Sequence, residues 1–340
     1  MPQTFFHTFS IALAAILSVL CIIFFAILLR RTGRISPETD HGLLRLTIDL
    51  LIPCLIIDRI LNTNAFSDTQ NLWLPPLLGF SLTGLGILAG FVITFLPVRG
   101  TGLATQQQKR TFASCVGILN YGYVAIPLVD VLFSDNHRTM GVLFLQYLGA
   151  EVSIWTLVVF TLVGKFDSTS WRQLINGPIL AILIAVPLNL LGHSSLFSEE
   201  FHEYIVPCFG FLTWAIHQIG QTAIPISLMT VGLTITALIQ HKELKNRWRT
   251  TLKVSFWSCL IRLVIMPTFF LTLAVWLPCT VEIKRVLVIH GAMGSAIFPI
   301  VLAKHYNGST ETAFDTVISN TLASIITLPL WIAFGMKIIQ

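Results

Sequence analysis

The chain has 340 residues, 54% of them hydrophobic and only 11% charged, with a mean hydropathy of +0.80. So little polar surface excludes a soluble domain and specifies an all-α polytopic membrane protein, because helices satisfy their own backbone in lipid. The net charge of +5 and pI near 9.0 fit basic loops at a lipid bilayer, and nucleic acid is discarded as a partner.

At about 20 apolar residues per crossing, ten spans are expected, near 5–29, 42–61, 72–96, 110–133, 139–163, 178–192, 209–239, 252–276, 284–304 and 313–338. The first is too long for a signal-peptide core and lacks a basic leader, so it reads as a retained span. The stretch 209–239 is long enough to hide an interfacial helix or a division near Gly220. With ten spans, one side of the membrane carries fourteen basic residues, among them Arg30, Arg31, Arg34, Lys109, Arg110 and the cluster from Lys242 to Lys253. The other side carries five: Arg59, Arg138, Lys284, Arg285 and Lys337. That bias makes the first side cytoplasmic and puts both termini outside the cytoplasmic membrane.

The chain repeats itself. Ile52-Pro53-Cys54-Leu55-Ile56 in the second span is echoed by Ile224-Pro225-Ile226-Ser227-Leu228 in the seventh, and Pro127-Leu128-Val129 in the fourth by Pro299-Ile300-Val301 in the ninth. Pro53 and Pro225 are separated by the same 172 positions as Pro127 and Pro299. A five-span unit, 1–170, followed by a second, 171–340, must enter the membrane inverted, which is the plan of secondary transporters.

The fourth and ninth spans are interrupted. Asn120-Tyr121-Gly122-Tyr123-Val124-Ala125-Ile126-Pro127 forces backbone groups out of the helical ladder, with unwinding expected over 120–126 and a restart with Pro127 at the first helical position. In the ninth span Gly291 and Gly294 loosen the chain before Pro299. Two half-helix N-termini then face one midplane region as an anion site that needs no fixed cation. Substrate contacts are expected from Asn120, Tyr121, Gly122, Tyr123, Pro127, Gly294, Ser295 and Pro299.

Charges within spans are rare and usually functional. Asp49 reads as an ion pair with Arg45, one turn before it. Glu151 is a candidate for proton or sodium coupling or for a pair with Arg262. Asp130 either complements the half-helix after Pro127 or faces the site as a second coupling candidate. Gln146, Asn320, Thr321 and Ser324 suit interhelical hydrogen bonds, and Gly86 with Gly90 suits a close helix contact. The six cysteines have no metal or disulfide spacing. Phosphate-loop, nucleophile and cofactor motifs are not found, so neither an ATP-driven pump nor an intramembrane enzyme is expected.

The residues resemble the auxin efflux carrier family of permeases. The resemblance rests on Asn120, Gly122, Tyr123, Pro127 and Leu128; on Ile224-Pro225-Ile226-Ser227-Leu228 with Gly232; on Phe298-Pro299 with Tyr306; and on Ser324-Ile325-Ile326-Thr327-Leu328-Pro329. The short loop at 240–251 resembles bacterial members, and Ala125-Ile126 departs from a family pattern that places Gly shortly before the Pro. The resemblance implies two inverted five-helix repeats, with a scaffold of spans 1, 2, 6 and 7 and a transport bundle of spans 3–5 and 8–10. It also implies elevator-like alternating access and, as often in the family, a homodimer through the scaffold; bacterial relatives take carboxylates like malonate, malate or citrate, from which this chain's own specificity does not follow. A sodium-coupled bile-acid-type symporter is the nearest rival reading.

Overall fold

The computed structural model describes residues 5–122, 124–133, 137–164, 177–192, 210–240 and 248–339. Helices cover the stretches read as spans, to within a few residues at each end. Tyr123, Lys165, Trp171, Arg172, Cys208, Lys242, Lys245 and Arg247 lie outside the described residues. Four helical stretches, Gln70–Thr94, His137–Val163, Thr250–Trp276 and Thr310–Ile339, are long and apolar enough to cross a membrane on length and composition.

In chain order the first half holds α1 (Phe5–Arg31), α2 (Pro37–Leu46), α3 (Ile52–Leu61), α4 (Gln70–Thr94), α5 (Val98–Thr101), α6 (Gln106–Gly117), α7 (Ala125–Leu132), α8 (His137–Ser153) and α9 (Val159–Val163). The second holds α10 (Gly177–Gly192), α11 (Gly210–Gln221), α12 (Ala223–Gln240), α13 (Trp248–Leu260), α14 (Met266–Trp276), α15 (Val281–Ala292), α16 (Phe298–His305) and α17 (Thr310–Ile339).

Proline explains most of the interruptions. Pro53 has no N–H for the Asp49 carbonyl, and α2 joins α3 through a π turn, Thr47–Leu51, in which the Ile52 amide reaches back to Thr47. Pro225 likewise cannot serve the carbonyl of Gln221, the last residue of α11, so the expected seventh span is divided at Thr222. Pro267 follows another π turn, Ile261–Ile265, which joins α13 to α14 with the Met266 amide on the Ile261 carbonyl. The carbonyl of Leu263, which Pro267 leaves free, accepts a hydrogen bond of 2.8 Å from the indole Nε1 of Trp331 on α17. A π turn at Ile154–Val158 joins α8 to α9; it has no proline, and nothing in its sequence explains it.

Two groups of helices can be distinguished, joined by α1, which also lies against α7 and α17. In one, α3 lies against α10 and α11, and α1 against α12. Gly220 sits on the backbone of Leu55, where a Cβ would come within 2.9 Å, and Gly232 sits on Ile23, where a Cβ would fall 2.5 Å from its carbonyl oxygen. Asn189 ties α10 to the end of α3 by donating to the carbonyls of Ile60 and Thr63, each at 2.8 Å. In the other group, α4 packs against α6 and α8 at glycine contacts. A Cβ on Gly86 would meet the Gly117 Cα at 2.8 Å and one on Gly90 the Ala113 Cα at 2.6 Å. The pair read as a close helix contact is therefore one, and α6 carries the first break.

Candidate functional site

The helix before the first break is set by its N-terminus. Thr105 caps α6: its hydroxyl accepts from the Gln108 amide at 3.1 Å, and the Gln108 side chain accepts from the Thr105 amide at 3.1 Å. After Gly117 the backbone becomes extended at Ile118 (φ −86°, ψ 108°) and helix resumes at Ala125. In the second break α15 ends at Ala292, Met293 is extended (φ −66°, ψ 141°), and α16 starts at Phe298.

The two breaks pair with each other. Leu119 and Ser295 form an antiparallel bridge, with the Asn120 amide donating to the Gly294 carbonyl at 3.0 Å and the Ala296 amide to the Ile118 carbonyl at 3.0 Å. Backbone groups that the helices give up, and that lipid cannot serve, are satisfied by this crossing. Because the paired segments run antiparallel, α7 and α16 leave the crossing in opposite directions and both begin beside it. Neither has a side-chain N-cap; the Ile126 and Ile300 amides bond the Gly122 and Ile297 carbonyls, so each offers the crossing part of the positive charge of a helix start.

The breaks differ in detail from the sequence expectation. The helix ends at Gly117, two residues earlier than expected, and resumes at Ala125 rather than at Pro127, which is the third residue of α7 rather than the first; Pro299 is the second of α16. Gly291 loosens nothing: it is helical and packed on Phe270, where a Cβ would lie 2.7 Å from the Phe270 Cβ. The positions are set by the bridge and by a cap, both non-local. That cap is Arg262, wholly buried, whose Nε donates to the Met293 carbonyl and whose Nη2 donates to the His290 carbonyl, both at 2.8 Å. Its guanidinium thus serves the Met293 carbonyl just past the end of α15 and adds a second donor to the His290 carbonyl, which also accepts the Met293 amide at 3.3 Å.

Glu151 is buried beside the crossing but does not pair with Arg262 as considered from the sequence. Its Oε1 accepts from the Tyr121 hydroxyl at 2.9 Å and its Oε2 from the Trp155 indole at 2.9 Å. Tyr121 stands edge-on to Tyr147 at 4.9 Å between ring centres, and Trp155 edge-on to Phe298, the first residue of α16, at 5.8 Å. One carboxyl therefore links the first break to the start of the second half-helix. Sequence reasoning missed Trp155, although its i, i+4 spacing from Glu151 was a usable signal.

Asp130, the other coupling candidate, lies toward the end of α7 rather than at its start and pairs with Arg59 at 2.8 Å. Asp49 pairs with Arg45 at 3.3 Å, as expected from the spacing. Of the other candidates, Asn120 presents a buried side-chain Oδ1 without a hydrogen-bond partner, and Ser295 is buried and accepts from the Asn320 amide nitrogen at 2.8 Å. Gly294 is confined by the Asn320 carbonyl, 3.2 Å from where a Cβ would sit. Gly122 and Pro127, with Ile126, line a narrow cleft whose opposite wall is Ile52, Leu55, Ala223, Ile224 and Ser227. The first crossover thus faces α3 and α12, the helices that carry Pro53 and Pro225.

A broken-helix crossing in an apolar all-helical chain, opening onto a cleft, has the arrangement of a transport protein rather than that of a receptor anchor or a lipid-embedded scaffold. Comparison with curated proteins gives no match. The membrane transport protein family matches twice, over residues 11–169 and 162–332. By those matches, which together span almost the whole chain, the protein belongs to the membrane transport protein family, that of the auxin efflux carriers.

Proposed function

We propose that the protein is a secondary permease that moves a small organic anion, a mono- or dicarboxylate, across the cytoplasmic membrane. The observation that carries this reading is the antiparallel bridge between Leu119 and Ser295, which brings two uncapped half-helix starts to one buried place. Their partial charges favour a negative ligand; in this reading the Asn120 side-chain amide donates to its oxyanion through Nδ2, while the open Oδ1 takes a hydroxyl of the ligand or a water.

Ten spans in two inverted repeats, 1–170 and 171–340, are the architecture this reading uses, with both termini outside. Support comes from the equal spacing of the two proline pairs and from the separate family match in each half. The packing of α1, α3, α10, α11 and α12 among themselves suits a scaffold, and α4 to α9 with α13 to α17 suit a bundle that moves against it. Their shared cleft suits elevator-like alternating access, and the scaffold offers the face for a homodimer. Glu151, tied by Tyr121 to one break and by Trp155 to the other, is the coupling group in this scheme, for H+ or Na+.

The test is uptake of labelled malonate, malate and citrate into proteoliposomes, with and without proton or sodium gradients. Uptake above protein-free vesicles is expected, falling at least about tenfold in Asn120→Ala, as for loss of an oriented polar contact. No uptake of any of the three would overturn the permease reading. Undiminished uptake in Asn120→Ala would remove that side chain from the site.

A further inference from the structure

Arg262 is the largest wholly buried side chain among the described residues, and no carboxylate among them lies within ion-pair distance of it. Its Nε and Nη2 are used by the Met293 and His290 carbonyls, whereas Nη1 is buried with no hydrogen-bond partner. The end of α15 offsets this charge only in part, since a helix C-terminus carries roughly half an elementary charge. About half a positive charge is thus left without a counterion, in the part of the chain where leaving it so is most costly.

The position of that charge matters. Met293, whose carbonyl Arg262 holds, directly precedes Gly294, whose own carbonyl accepts the Asn120 amide in the crossing. His290, the other residue held, also has a buried ring nitrogen, Nε2, without a partner. Two open polar groups, one of them cationic, therefore lie behind the second break, where the sequence reading required no fixed cation.

We propose that Arg262 is the fixed cation of an anion subsite at the second break, and that a substrate carboxylate completes its charge by binding at Nη1. This rests on the permease reading and deepens it. The half-helix starts attract an anion in general, while a guanidinium fork with one open nitrogen selects a planar oxyanion such as a carboxylate. A substrate with two carboxylates spans both features, one group at the half-helix starts and the other at Arg262. Dicarboxylates are thus expected to bind more tightly than their half-amides.

The experiment measures direct binding to the detergent-solubilised full chain, with malonate, malate and citrate as probes, malonamate as the half-amide and malonamide as the neutral control. In the wild type, at least one of the three acids is expected to bind, malonamate more weakly than malonate, and malonamide not at all. Arg262→Gln is expected to weaken binding about thirtyfold or more, the scale for truncating one partner of a buried charge pair, and to abolish the preference for malonate over malonamate. Arg262→Lys keeps the charge without the fork and should retain part of the affinity.

Equal affinity in wild type and Arg262→Gln would overturn the subsite while leaving the permease reading intact, and so would a wild type that binds none of the acids but still takes one up. Binding that depends on Arg262 without uptake would instead uphold the subsite and overturn the permease. If Arg262→Gln does not fold, His290→Glu decides, since it supplies a counterion from within. Loss of acid binding in a folded protein is then expected, and unchanged binding would count against the subsite.

Discussion

Trp331→Phe tests how the π turn that carries Arg262 is held. Pro267 leaves the Leu263 carbonyl without a helical donor, and only the Trp331 indole is seen to fill the gap, at 2.8 Å. Phenylalanine keeps most of the ring and removes the N–H. Orphaning a buried carbonyl costs about 1–3 kcal/mol in water-soluble cores, while interhelical hydrogen bonds in membrane proteins average about 0.6 and reach about 1.7 kcal/mol. Because the carbonyl is fixed by a proline and has no helical alternative, the upper part of the membrane range applies, and a loss of about 1.5 kcal/mol is expected. The assay is unfolding in mixed micelles followed by circular dichroism. Pro267→Ala restores an amide that can bond the Leu263 carbonyl, so Trp331→Phe in that background should cost less than about 0.5 kcal/mol. Additivity of the two substitutions to within about 0.5 kcal/mol would show that the indole is not compensating for the proline, and the reasoning would fail.

Other outcomes follow from the same contacts. Tyr121→Phe removes the 2.9 Å bond to Glu151 but keeps the ring against Tyr147, and should lower both stability, by about 1–2 kcal/mol, and gradient-driven uptake; uptake that keeps its full ion dependence would take Tyr121 out of the coupling path. Gly149→Ala places a methyl 1.8 Å from the Pro76 carbonyl oxygen, a backbone clash expected to cost about 1–3 kcal/mol or more, read as lost folded yield in detergent. Asp130→Asn breaks only a partly exposed pair, so stability should change by less than about 1 kcal/mol with uptake kept; a large uptake defect would return Asp130 to the site. Leu55→Cys with Ile126→Cys spans the cleft between α3 and α7, and oxidation of that pair should arrest uptake until a reductant is added, whereas unaffected uptake would argue against movement across this cleft.

What the sequence made legible is what proline, glycine and length state locally. Pro127 and Pro299 announced interruptions because a missing N–H has the same consequence in any fold, and Gly86 with Gly90 announced a close helix contact; Pro53 and Pro225 marked only the repeat and did not announce the breaks at them. The pairing of the breaks was less legible, since it lies in backbone bonds between Ile118–Asn120 and Gly294–Ala296, whose side chains carry no sign of it. Of the two readings of Glu151, the pair with Arg262 fails for a related reason: matching charges suggested it, but the crossing gives Arg262 to the end of α15 and Tyr121 and Trp155 to Glu151. Asp130 was likewise placed by its distance from Pro127 along the chain, whereas Arg59 reaches it from another helix.

The bridge between Leu119 and Ser295 is made entirely by main-chain atoms, and that bears on how such a protein changes over generations. Ordinary substitutions near the crossing alter which ligand is held without touching the bonds that hold the crossing together, so specificity is free to drift while the architecture persists. An alanine scan would pass over this joint in silence. A change that deletes an amide proton reaches it directly, and Ala296→Pro and Asn120→Pro, which remove the donors to the Ile118 and Gly294 carbonyls, are substitutions that lineages sharing this joint should avoid.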